Sequence, residues 1–246
     1  MKKLPTILQN LIYITYLAEL LPLILCLIFL KKIKTIELKV FLYYLLVFSI
    51  FLLISIYFRR YLKDSPHQIL VNRIFLITEF SFLSLFYYHN LILKAKKILL
   101  SVSVVLFFIY SVYDFALSKT GEFSFIPLVI ECLFFLILII LFFYENLKYN
   151  ISSFLYTSAI FWISIGFLIY FSGNFFLFLF SKTMFSNPEF RFQYTIIYGT
   201  VTIIKNIFIC TGIIVNTNSS NNQNSNNKTI DIDLGTFNPL SQHTNL

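Results

Sequence analysis

Glu19, Glu79, Glu131 and Lys205 stand inside long apolar runs. An ionisable side chain at the centre of a membrane helix costs roughly 2.5–3.5 kcal/mol on insertion, so such residues are functional candidates by default. Three carboxylates grouped with one ammonium leave the charges unbalanced, and the group is expected to share a proton. A fixed cation beside a shareable proton suits a small zwitterion or cation. It also suits proton movement. Asn72, Asn174 and Asn206 also lie inside apolar runs and complete the candidate ligand- or proton-binding set. The bland alternative is polar pairing between helices, which fixes register and binds nothing.

These residues need elements to hold them, and the apolar runs are those elements. A membrane helix takes ~20 mostly apolar residues. Seven runs qualify: 11–30, 38–58, 69–92, 98–117, 123–144, 152–180 and 194–215. They are too long and too uniformly apolar for barrel strands. The predicted fold is therefore all-α, a polytopic transmembrane bundle of seven helices over residues 1–215. The sixth run is expected to break at Gly173-Asn174, which leaves a six-helix count open. Pro22 and Pro127 are expected to kink their helices, and Arg73 and His89 to snorkel to the headgroups.

Composition agrees with lipid as the solvent. Hydrophobic residues make up 58% of the 246 and charged residues 12%, against about 45–50% and about 25% in soluble domains. The net charge of +8 comes from Lys and Arg placed mostly in the short breaks between runs. There they meet lipid headgroups and set topology. No basic stripe with stacking aromatics is present, so no nucleic-acid partner is expected. Cys26, Cys132 and Cys210 lie far apart within apolar runs, without metal-ligand spacing, and read as small packing residues.

Counting along the runs groups the candidates by depth. The first, third, fifth and seventh helices cross the bilayer in one direction. Glu19 lies eight residues into its run, Glu79 ten, Glu131 eight and Lys205 eleven. At a rise of ~1.5 Å per residue all four fall in one ~5 Å layer. Facing points the same way. Thr15, Tyr16 and Glu19 share a stripe, as do Asn72 and Glu79, and Tyr198, Thr202, Asn206 and Cys210 step by four. Trp162, Gly166 and Gly173 share a face on which glycine permits close helix approach.

Residues 216–246 form an Asn-rich tail. Its tract NTNSSNNQNSNNK buries too little apolar surface to order itself and is expected to be disordered. The opening Met1-Lys2-Lys3 precedes a stretch with Glu19 and Pro22 and no small-residue cleavage site. It reads as an uncleaved first helix rather than a signal peptide. Positive charges divide eight to nine between the two sides. The second side has the tighter blocks KKIK and KAKK. The expected orientation is therefore an outside amino terminus and a cytoplasmic tail, in a bacterial inner membrane.

The segments ITEFSFLSLFYYHN (77–90) and FWISIGFLIYFSGNFF (161–176), with the Glu of the first, resemble small bacterial seven-helix membrane proteins such as the sensor regions that precede histidine-kinase domains. Those proteins pass a signal to a downstream domain. No such domain follows the helices in this sequence, so a signalling role requires a partner recruited through the tail. The expected function is a receptor-like or sensory module with an intramembrane site for a small molecule. The alternative is a small proton-coupled carrier using the same residues. A third reading is a retinal protein with Lys205 as Schiff base and Glu79 as counter-ion. It is weakened by the single Trp and by surroundings that depart from that family's pattern. No enzyme and no cofactor is expected: the hydrolase His/Asp set is missing, and no pair of transmembrane histidines stands ready for haem.

Overall fold

The computed structural model describes the backbone of residues 6–61, 66–117, 124–149 and 155–234, and the side chains of 8–58, 68–116, 124–149 and 156–217. Seven α-helices run in order: α1 (Thr6–Ile28), α2 (Ile36–Tyr61), α3 (Pro66–Asn90), α4 (Lys94–Leu117), α5 (Ile126–Tyr149), α6 (Ala159–Met184) and α7 (Pro188–Leu234). Short 3-10 turns at Leu30–Lys32 and Leu155–Thr157 accompany them. Each helix contains a stretch long and apolar enough to cross a membrane. Among the described residues there is no strand. The chain is an integral membrane protein, built of helices because a helix pairs its backbone polar groups within its own segment, which hydrocarbon requires.

Some boundaries depart from the apolar runs. α4 begins at Lys94, inside the lysine cluster, because the stems of those lysines extend a helix as readily as apolar residues do. α5 continues through Glu145 and Asn146, which are buried. α6 passes unbroken through Gly173-Asn174, contrary to the expected break. Gly173 there meets Val201 of α7, and a Cβ at 173 would stand 2.6 Å from Val201 Cγ1. The glycine serves close packing rather than bending. Pro127 is the second residue of α5, where a missing N–H costs nothing, so it kinks no helix. Pro22 does lie within α1.

The packing forms a closed ring of six helices. α1 contacts α2, α2 packs along α3, α3 meets α5, α5 packs on α6, α6 on α7, and α7 returns to α1. The α6–α7 seam is the most extensive. α4 stands outside the ring against α3 and is the least buried span. Contacts along its length hold it. Phe107 stacks on Phe80 at 3.8 Å near mid-helix. Arg73 Nη1 of α3 lies 3.3 Å from Asp114 Oδ2 at one end, and Lys96 Nζ lies 3.0 Å from Glu145 Oε1 of α5 at the other. Arg73 is thus buried and paired with Asp114 instead of snorkelling, because the neighbouring helix offers a carboxylate at its own depth.

One half of the ring's interior is filled by rings. Phe41, Phe86, Tyr87, Phe135, Phe142, Phe167 and Phe171 are all buried and touch edge-on, tilted or stacked. Tyr87 donates a hydrogen bond to Ser164 Oγ at 3.1 Å, which ties α3 to α6. Asn216 Nδ2 donates to the Lys32 carbonyl at 3.2 Å, which pins α7 to the α1–α2 connection. The α7 backbone continues to Leu234, past its membrane span, which ends at Thr217. The backbone of the 216–246 tail is thus helical as far as 234, while the side chains from 218 and the backbone from 235 lie outside the described residues.

Candidate functional site

The other half of the interior is polar, and its residues come from every helix of the ring. Glu19 sits on the buried stripe of α1 with Thr15. α1 and α7 approach closely there, and a Cβ at Gly199 would stand 3.0 Å from Thr15 Oγ1. From α2, Tyr44 donates a hydrogen bond to Glu79 Oε1 of α3 at 3.0 Å, both groups being buried. Glu131 of α5 is 2% exposed, and its carboxylate lies within electrostatic reach of Glu79. Asn174 of α6 is fully buried. The α7 stripe Thr202, Asn206 and Cys210 faces inward as its four-residue spacing requires, with Lys205 beside it.

Lys205 is the centre of this half. It is 3% exposed, and its ammonium lies 4.4 Å from the ring centre of Tyr170, 5.2 Å from Phe48 and 5.8 Å from Phe167. Three aromatic faces present partial negative charge to it, a contact worth about 2 kcal/mol when desolvated. The charges of Glu19 and Glu79 both act on it. The ion pairs among the described residues are Arg73–Asp114 and Lys96–Glu145, and Lys205 belongs to neither. Tyr170 continues outward to Tyr198 at 6.3 Å, and Tyr198 stacks on Tyr194 at 6.0 Å. A tyrosine ladder therefore leads along α7 from its amino-terminal end to the lysine.

The structure places Glu19 and Glu79 within electrostatic reach of Lys205 and Glu131 within reach of Glu79, with Asn174 and Asn206 buried as well. Asn72 is not brought in. It is half-buried two turns before Glu79 and makes no hydrogen bond to this group among the described residues. Also among the described residues, no three His, Cys, Asp or Glu side chains are close enough to share a metal ion. The glutamates share a level without forming a carboxylate cluster.

No family model, curated protein or solved structure matches the chain.

Two parts of the site escape the sequence reading. The first is Tyr44. Its signal is weak, one tyrosine among 16, although its four-residue step from Val40 to Phe48 fits an inward stripe. The second is the box of Phe48, Phe167 and Tyr170 around the lysine. In a chain with 31 phenylalanines no aromatic stands out by type.

Tyr44→Phe removes the donor to Glu79 and leaves that buried carboxyl one hydrogen bond short. The expected loss is about 1–3 kcal/mol of stability, read by denaturant unfolding of the purified protein. A variant as stable as the parent would show that Glu79 finds another donor.

A separate cleft of about 110 Å³ opens between α3, α4 and α5. Arg73, Asp114, Ser111 and Ser124 line it together with apolar side chains. It lies away from Lys205 and shares no residue with the polar layer.

Proposed function

We propose that the protein is a receptor-like membrane module that binds a small amine or zwitterion in the polar layer around Lys205 and Glu79. The observation that carries this reading is the closed ring itself. Six helices each send a polar or aromatic side chain to one level, and the seventh stands apart. Pairing for register alone needs only neighbouring helices. A layer fed by all six is built around something common to them. The mixed charge of the layer suits a ligand carrying both an amine and an acceptor.

Unbroken helices favour a receptor over a carrier, because carriers of this kind commonly place their sites at interrupted helices. In the sensory reading a ligand shifts the α6–α7 seam, where Lys205 sits. The change would reach a signalling partner through the 216–246 tail on the cytoplasmic side of a bacterial inner membrane. The likeness of segments 77–90 and 161–176 to kinase-linked sensor regions points in the same direction.

The test is thermal unfolding of the full chain in detergent with a panel of small amines and amino acids. Some members are expected to raise the melting temperature of the parent, and Lys205→Met and Glu79→Gln should lose the shift. A panel with no effect would return the layer to a structural role. Uptake into proteoliposomes that collapses with the pH gradient would replace the receptor with a proton-coupled carrier.

A further inference from the structure

Four side chains in the polar half carry buried atoms without a hydrogen-bond partner among the described residues. They are Glu131 Oε1, both amide atoms of Asn174, Thr202 Oγ1 and Asn206 Nδ2. Buried polar atoms in proteins are almost always satisfied, so a concentration of unsatisfied ones marks a place made for something else.

Their positions converge. Phe135 of α5 stacks on Phe171 of α6 at 5.0 Å. Glu131 lies one turn before Phe135, and Asn174 lies nearly one turn after Phe171. The two helices are antiparallel, so both steps lead the same way and end at the same level. Gly173 packs on Val201 across the α6–α7 seam. One residue onward from each, Asn174 and Thr202 turn to the same side of that seam. Both are fully buried, so that side is the interior.

We infer that Glu131, Asn174 and Thr202 form a site for a monovalent alkali cation at the α5–α6–α7 corner of the layer. The donors offered are a carboxylate, an amide carbonyl and a hydroxyl, all hard oxygen ligands. With only one carboxylate in the set, the charge matches one positive unit rather than two. Among the described residues the ammonium of this layer, that of Lys205, is held by the aromatic box and belongs to neither ion pair. An ion here would lower the repulsion between Glu131 and Glu79. It would also tie α5 to the mobile partner of the proposed ligand response, the α6–α7 seam.

This site rests on the polar layer being a binding layer, but it uses different residues from the amine reading. The amine test reads Lys205 and Glu79, and the ion test reads Glu131 and Thr202, so either fails alone. The experiment is thermal unfolding of the full chain in detergent, with Na⁺ replaced by N-methylglucamine at constant ionic strength and no amine ligand present. Na⁺ is expected to give a saturable rise of about 5 °C. Glu131→Gln and Thr202→Val should abolish it, while Thr202→Ser, which keeps the oxygen, should retain it. Equal melting temperatures in Na⁺ and N-methylglucamine would overturn the inference. So would a sodium-specific rise that survives in both Glu131→Gln and Thr202→Val. If Glu131→Gln does not fold, the Val and Ser pair at 202 decides the question.

Discussion

Gly166→Val is expected to cost roughly 3 kcal/mol of stability, the upper end of ordinary overpacking. A Cβ at 166 would stand 2.8 Å from the Lys205 carbonyl oxygen and 3.1 Å from Phe208 Cβ. The first of these is backbone, which cannot swing aside as a side chain can. α6 and α7 would have to separate along the most extensive seam of the bundle. In lipid that seam depends on close packing, because apolar surface gains nothing by leaving hydrocarbon for protein. The damage would reach the site, since the displaced turn carries Lys205 and its box includes Phe167 and Tyr170 of α6. Gly166→Ala should err in the same direction by less. Denaturant unfolding in detergent measures both, and a valine variant with parental stability would mean that the helices do not approach so closely.

The second large effect is expected at Glu145→Ala, about 3 kcal/mol, the lower end for breaking a buried charged pair. Glu145 is completely buried. Its Oε2 accepts the Ile92 N–H at 2.8 Å, in the link between α3 and α4, and its Oε1 lies 3.0 Å from the Lys96 ammonium. That second contact is close without hydrogen-bond alignment, so it is mainly ionic. Lys96 is about one-fifth exposed and retains some water when its partner is lost, which places the cost at the low end. Alanine leaves both the N–H and the ammonium unsupported. Glu145→Gln keeps an acceptor for Ile92 and should lose less. The same unfolding measurement separates the two, and an alanine variant no worse than the glutamine one would show that the backbone contact is unimportant.

Much of the fold is legible because lipid imposes a length on every span. Runs of about 20 apolar residues admit few alternatives, and all seven appear as helices. Depth was legible for a related reason. Alternate helices share a direction, so counting from the start of each run puts Glu19, Glu79, Glu131 and Lys205 in one layer. Polarity at run ends misled. Glu145 and Asn146 read as a connection, yet α5 carries them inward because Lys96 and the Ile92 amide await the carboxylate there. Arg73 read as a snorkelling end residue for want of a visible partner, and Asp114 is 41 positions away in the chain. Gly173-Asn174 read as a break because local propensity says nothing of the Val201 side chain that needs the space.

The ring closes when α7 docks between α6 and α1, and this has a consequence for how the protein is made. Chains emerge amino terminus first. Glu19, Glu79 and Glu131 therefore enter the bilayer on α1, α3 and α5 while Lys205 is still unsynthesised. Until the last helix arrives, three acidic groups lie in a bundle open between α1 and α6. Arrival of Lys205 both shuts the gap and supplies the missing charge, so assembly of the walls and assembly of the site are a single event.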